Sequence, residues 1–289
     1  MNLLITGGTG TLGRQLLPAL LKKPGLHPRL LSRRSAPPRP DIETATGDVT
    51  RPETLRPALE NIDTVLHLAA LTHSRHARDY FTVNTEGTRN LLNACEAAGV
   101  RRFFHMSSRA ANQNGGAYSE SKWQADAAVR DSSLAWTILK PAEVYGGGSN
   151  EGIAQLAGWI DRWPVLPIIG GGDYTMSPVH VEDVIAATVQ AVTLPGLAGE
   201  TFVLGGPETM TFDHLADRLG AVRKKYPCKI HLPAAFMQGV VSVLSACGLG
   251  GMVPDQIPRL LCEKESDIAN AREKLGYNPR SLEQGFPAR

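Results

Sequence analysis

Ile5-Thr6-Gly7-Gly8-Thr9-Gly10-Thr11-Leu12-Gly13 decides how the rest of the chain is read. Its glycines fall at 7, 10 and 13, directly after the apolar run Leu3 to Thr6 and at the start of the helically spaced run Leu12 to Leu21. Glycines so placed make a tight turn, let backbone approach a pyrophosphate, and aim the helix N-terminus at its charge. A glycine triplet alone is weak evidence. At the first strand-to-helix turn of an alternating pattern it is strong, and Gly7, Thr9, Gly10, Thr11, Leu12 and Gly13 become candidate phosphate contacts.

The alternation continues outward from that turn. Short apolar runs predict strands at Arg29 to Leu31, Thr64 to Leu68, Arg102 to Met106 and Trp136 to Leu139. Between them Glu53 to Leu59, Val83 to Ala98 and Ser119 to Val129 carry apolar residues at helical spacing. Strands separated by helices pair in parallel through right-handed crossovers, so the expected fold is α/β: a Rossmann-type doubly wound parallel sheet with a smaller C-terminal substrate-binding cap. Residues 1–150 are expected to form the nucleotide-binding layer, with 176–195 returning to it, and 151–175 and 196–289 the cap. No internal repeat is present.

Composition excludes several classes of function. Among 289 residues, 30 Lys+Arg oppose 28 Asp+Glu, a formal charge of +2 that gives no pull toward nucleic acid. Hydrophobic residues make up 42%, enough for a packed core rather than a disordered chain. Cys95, Cys228, Cys247 and Cys262 form no close pair, which argues against a zinc site or a disulfide scaffold and leaves four reduced, mostly structural thiols. His73, His76, His105 and His180 have no metal-ligand spacing. Trp123 and Trp136 read as core or helix-packing residues. The apolar strand pattern from Asn2 leaves no room for a signal peptide, so a cytoplasmic protein is expected. Ala234 to Val253 is long enough to span a bilayer, but Gly239, Gly248, Gly250, Gly251, Gln238, Ser242 and Ser245 interrupt it. A buried or interfacial helix is the expectation there, with membrane association as the alternative.

In NAD-specific versions of such a fold, an acidic residue at the end of the second strand holds the adenosine ribose. From Arg14 to Pro40 this chain has no Asp or Glu. Arg33 falls just past the strand Arg29 to Leu31, where a guanidinium forks onto a 2′-phosphate, with Arg34 and Arg14 behind it. Lys22, Lys23 and Arg39 read as solvated surface charges. NADP(H) is therefore expected over NAD(H).

Tyr118-Ser119-Glu120-Ser121-Lys122 projects a phenol and an ammonium from one face of a helix. Bringing a phenol from ~10 to near neutrality takes about three units, or ~4 kcal/mol. One ammonium at ~4 Å in an effective dielectric of ~20 supplies about that before desolvation. The preceding strand ends in Ser107-Ser108, at the carboxyl edge where ligands bind in such sheets, so Ser108 can donate to a carbonyl while Tyr118 moves the proton.

With these residues in place the chain resembles the short-chain dehydrogenase/reductase superfamily, of the extended or atypical, epimerase/dehydratase-like type. The resemblance covers nearly the whole chain. Gly47-Asp48-Val49 is similar to the family's adenine-contacting segment, and His67-Leu68-Ala69-Ala70 to the strand end passing the adenosine ribose. Val83-Asn84-Thr85-Glu86-Gly87-Thr88 is similar to its long-helix motif. Lys140-Pro141-Ala142-Glu143-Val144-Tyr145-Gly146 is similar to the segment packing against the nicotinamide, with Lys140 in place of the more frequent Arg. Val179-His180-Val181-Glu182-Asp183-Val184 and Leu275-Gly276-Tyr277-Asn278-Pro279-Arg280 match extended-type signatures near the cap.

The resemblance implies that Ser108 orients the carbonyl or alcohol, that Tyr118 is the general acid/base, and that Lys122 lowers the Tyr pKa and holds the nicotinamide ribose. It assigns Asp48, Val49, Leu68, Ala69, Ala70, Ser107, Pro141 and Val144 to the cofactor. Asp48 also reads as a helix-leading cap before Pro52, Ser107 as a structural contact, and Asn84 as a structural hydrogen-bonding residue. Two departures weaken a nucleotide-sugar substrate. Ser108 and Tyr118 are only ten residues apart without the epimerases' Tyr-Gly pair, and Met176-Ser177-Pro178 stands where those enzymes carry Arg-Asp-aromatic. The expected function is an NADPH-dependent oxidoreductase acting on a small-molecule carbonyl or alcohol. A nucleotide-sugar epimerase or dehydratase with bound NAD(P), and a non-catalytic NADP-sensing or assembly protein, are the alternatives. Oligomeric state stays open, a homodimer included.

Overall fold

The computed structural model describes residues 1–34, 41–148, 152–248 and 253–286. Arg39 and positions 249–252 of the apolar stretch lie outside them. Seven strands form one parallel sheet: β1 (Asn2–Thr6), β2 (His27–Ser32), β3 (Glu43–Thr46), β4 (Thr64–His67), β5 (Arg102–Met106), β6 (Ala135–Pro141) and β7 (Glu200–Leu204). Their spatial order is β7-β6-β5-β4-β1-β2-β3. Every neighbouring pair is parallel.

The order reverses between β1 and β4, so the carboxyl ends of these strands open the crevice in which this architecture binds nucleotides. Both sheet faces are covered, which explains strands apolar throughout rather than alternating. Leu3 and Ile5 face a core with Leu16, Leu20, Phe104, Leu139 and Phe202. Leu4 points the other way, into a core with Val65, Leu91, Cys95, Phe103 and Ile138.

Two sequence expectations need correction. The run Glu53 to Leu59 is two 3₁₀ turns, Pro52–Thr54 and Pro57–Leu59, instead of a helix. Pro57 lacks the N–H that would carry an α-helix through it. Residues 196–289 are not all cap: β7 pairs with β6 at the sheet edge, and the Ala269–Leu275 helix shares the first core through Ala271 and Leu275. A five-residue strand that returns after a long excursion carries no local sign of its destination.

The expected helix Val83 to Ala98 begins as a π-helical turn, Phe81–Glu86, before the regular Gly87–Ala98. That turn carries Asn84, whose side chain accepts from Leu71 N at 2.7 Å and donates to Leu71 O and Ser121 Oγ. The structural reading of Asn84 matches this bonding. Trp123, expected in the core or packed on a helix, is 38% exposed, and only Cys95 of the four free thiols is buried.

Beyond β6 a third core joins the Gly152–Arg162 and Phe212–Arg223 helices through Ile153, Ile160, Leu215 and Leu219. The Ala234–Ala246 helix rests on Ile169 and Ile257 through Val241. Among the described residues no helix is long and apolar enough to cross a membrane. The two C-terminal signatures meet: Asp183 accepts from Arg280 N at 3.0 Å and from its guanidinium at 3.1 Å.

Candidate functional site

The glycine turn is shaped by contacts that exclude side chains. Gly7 has φ +70°, and a Cβ there would lie 2.5 Å from Ala69 N; one on Gly13 would lie 2.5 Å from Gly7 O. The Thr11–Leu21 helix starts at Gly10 with no side-chain cap and no acid in its first turn. Thr9, Gly10 and Thr11 are exposed. Uncapped N–H groups at an open, glycine-lined helix start fit a diphosphate. Thr6 Oγ1 ties β1 to the neighbouring strand end, accepting from Ala69 N at 3.2 Å and pairing with His67 Nδ1 at 2.6 Å.

Arg33 and Arg34 are exposed immediately past Ser32, the last residue of β2. Asp48 Oδ1 accepts from both Thr50 N and Thr50 Oγ1 at 2.9 Å, and buried Val49 packs on Gly87. Pro141 ends β6, accepting from Arg109 N, and Val144 pairs with Val179.

The catalytic candidates gather at the carboxyl end of β5. Ser107 is buried with its hydroxyl against the Asp126 carboxyl, whereas half-buried Ser108 accepts from Ala110 N at 3.1 Å. The Gly116–Asp131 helix carries Tyr118, 5% exposed, and wholly buried Lys122 one turn on. Lys122 Nζ donates to Met106 O, the last carbonyl of β5, at 2.9 Å. Burial pulls the Lys122 ammonium down to about 8, with Asp126 opposing the shift.

The segment around the Gln256–Leu261 helix closes over Tyr118. The Asp255 carboxylate accepts from Ala117 N at 2.5 Å and Tyr118 N at 3.2 Å, capping the Tyr118 helix. Gly116, at φ +85°, leaves room for it: a Cβ there would meet Asp255 Oδ1 at 2.7 Å. The Arg259 guanidinium stacks 4.0 Å above the Tyr118 ring and donates to Thr72 O. Tyr80 meets the same ring edge-on at 5.9 Å.

Sequence reasoning missed Arg109, Asp126, Asp255, Arg259 and the partners of Lys140. Arg109, 2% exposed, holds Glu143 and Thr175 O, fixing β5 to the cap. Lys140 lies 3.6 Å from Asp126 and 3.0 Å from Glu265. Burial raises the Asp126 carboxyl above its ordinary range, opposed chiefly by Lys140. Burial holds His67 at about 3 and His105 well below the usual imidazole range. Only position next to Ser108, on the Tyr118 helix, or in place of an Arg marked any of these residues. Among the described residues no three His, Cys, Asp or Glu side chains group to hold a metal ion.

A glycine turn, a strand-end serine and a Tyr/Lys helix on one doubly wound sheet are the arrangement of the extended short-chain dehydrogenase/reductase class. The chain belongs to the NAD dependent epimerase/dehydratase family, whose sequence profile matches residues 3–205. It is 36% identical to a ceramide reductase of Caulobacter vibrioides (strain NA1000 / CB15N), over 67% of this chain and 61% of that protein. It therefore spans less than two thirds of that relative. A 3 beta-hydroxysteroid dehydrogenase/Delta 5-->4-isomerase of Mycobacterium tuberculosis (strain ATCC 25618 / H37Rv) is 27% identical, over 96% of this chain and 86% of the relative. UDP-glucuronic acid 4-epimerase from Bacillus cereus, solved with UDP-glucuronic acid and NAD, shares the fold at TM-score 0.75 and 23% identity, covering 100% of this chain and 97% of that one.

Proposed function

We propose that the protein is an NADPH-dependent oxidoreductase that interconverts a carbonyl and an alcohol on an apolar small molecule. The observation that carries this reading is the single helix presenting Tyr118 and Lys122 at the carboxyl end of β5, with Lys122 anchored on Met106 O. When bound, the nicotinamide supplies or accepts the hydride. Ser108 hydrogen-bonds the substrate oxygen, Tyr118 gives or takes its proton, and the Lys122 ammonium stabilises the phenolate.

Gly7, Thr9, Gly10, Thr11, Leu12 and Gly13 hold the diphosphate in this reading, Arg33 with Arg34 the 2′-phosphate. Asp48 and Val49 border the adenine, Leu68, Ala69 and Ala70 its ribose, and Ser107, Pro141 and Val144 the nicotinamide end. An apolar substrate is supported by the uncharged Ala234–Ala246 helix beside the Gln256–Leu261 segment and by the ceramide and steroid named for two relatives. The family's own description keeps a second reading, an epimerase or dehydratase with retained NAD(P).

Calorimetric titration of the cofactor-free protein with NADPH and NADH, then NADPH oxidation against a panel of ketosteroids and ceramide-like ketones, tests the proposal. Tight NADPH and net oxidation support it. NADH preference without net oxidation moves the epimerase reading forward, and binding of neither leaves a non-catalytic role.

A further inference from the structure

Five ionisable side chains run unbroken from the proposed catalytic lysine to the surface. Lys122 Nζ is 3.4 Å from His105 Nε2, and that same nitrogen is 3.5 Å from Asp126 Oδ1. Asp126 Oδ2 is 3.6 Å from Lys140 Nζ, which donates to Glu265 Oε1 at 3.0 Å. His105 and Asp126 are 0% and 1% exposed and Lys140 5%, whereas Glu265 is 57% exposed. His105 Nδ1 makes no hydrogen bond, and the Asp126 carboxyl has the Ser107 hydroxyl beside these two neighbours in the series. A buried polar atom left unpaired destabilises a fold, so its retention calls for an explanation.

Resting on the reading of Tyr118 and Lys122 above, we propose that Lys122 regains its proton from solvent through His105, Asp126, Lys140 and Glu265. Lys140 is the residue that makes the path conductive. Arginine at that position keeps its proton under all ordinary conditions, whereas a buried lysine can lose and recover one. In the reductive direction Tyr118 gives its proton to the substrate oxygen and Lys122 reprotonates the phenolate. Asp126, protonated by Lys140, then passes that proton to His105 Nε2, which hands it to the Lys122 amine. The Glu265 carboxylate takes a proton from water and delivers it to the Lys140 amine, restoring both. One solvent proton enters per turnover, and the path itself moves no electrons.

The separations of 3.4 to 3.6 Å exceed a hydrogen bond by a few tenths of an ångström, a gap that small side-chain rotations close. Burial supports the route, since it loosens the proton on Lys122 and His105 and makes the Asp126 carboxylate take one up more readily. Facing charges are few. His67 stacks on His105 at 5.4 Å, Arg130 acts on His105 and Asp126, and the Ser107 hydroxyl adjoins Asp126.

Exchange of lysine Nζ protons with water, followed by proton–nitrogen correlation in lysine-labelled protein without substrate, reads the path directly. Lys122→Met and Lys264→Met assign the signals of Lys122 and Lys264, two of the three buried lysines among the described residues. Lys264, which donates to Leu260 O away from the chain, is the control. Lys140→Arg preserves the charge and Glu265→Gln alters only the exposed end, so the second carries the test should the first fail to fold. Each is expected to slow Lys122 exchange on the order of tenfold, leaving Lys264 unchanged. A Lys122 signal too fast to see in the parent and visible in these variants supports the path equally. Unchanged Lys122 exchange in both variants, or a signal too fast in every protein, overturns it. Failure of the Tyr118 assignment is a separate result, seen as hydride transfer that survives Tyr118→Phe.

Discussion

The Asp255 carboxylate caps the helix of Tyr118 from 137 residues further along the chain, accepting from Tyr118 N at 3.2 Å. The cap segment thereby sets the angle at which the proposed proton donor leaves the sheet. Asp255→Ala is expected to destabilise the fold by about 1 to 2 kcal/mol, and Asp255→Asn, which retains an acceptor, by much less. Urea denaturation of the three proteins checks this. Equal midpoints would remove the capping role.

Tyr118→Phe keeps the ring beneath Arg259 and against Tyr80 but deletes the hydroxyl. Turnover is expected to fall roughly a hundred- to ten-thousand-fold with cofactor affinity nearly intact. Steady-state kinetics with calorimetric NADPH binding separate the two quantities, and undiminished turnover would contradict the assignment.

Arg33→Asp replaces a guanidinium just past β2 by the residue type that holds a ribose diol. Loss of charge-assisted hydrogen bonds to the 2′-phosphate, worth about 1.5 to 3 kcal/mol, is expected to weaken NADPH roughly ten- to a hundredfold and leave NADH equal or better. The ratio of the two affinities is the measurement; a constant ratio would place the 2′-phosphate elsewhere.

Lys122 titrates near 8 in the fold against an ordinary 10.5, so between these values the unfolded chain binds more protons. Stability therefore rises with pH across that window, and the burden of about 3 kcal/mol is fully present below pH 8. Lys122→Met is expected to flatten this component. The difference between parent and variant in denaturation free energy, followed from pH 8 to 10.5, checks it. A difference independent of pH would show that the lysine is not strained by burial.

What was legible in the sequence was local. Gly7, Gly10 and Gly13 announce themselves through spacing, and Tyr118 and Lys122 through one helical turn, since both patterns are written in adjacent residues. The strands β1, β2, β4, β5 and β6 are apolar runs bounded by turns. The partners of Lys140 are not legible, because Asp126 and Glu265 reach it from the Tyr118 helix and from 125 residues downstream. Arg259 over Tyr118 is likewise a tertiary event. Pro57 stands within the run Glu53 to Leu59, where its missing N–H outweighs the helical spacing of the apolar residues.

The place of β7 also bears on how the chain is made. Until residues 200–204 arrive, β6 is an open edge whose unpaired backbone groups can template another chain. Residues 142–199 emerge in the interval, so the parallel sheet stays incomplete while they are synthesised. Its last pairing is a distant contact, slow to form and exposed to aggregation meanwhile. A fragment ending near Pro141 would carry every glycine, serine, tyrosine and lysine of the proposed site and still lack the strand that seals its sheet.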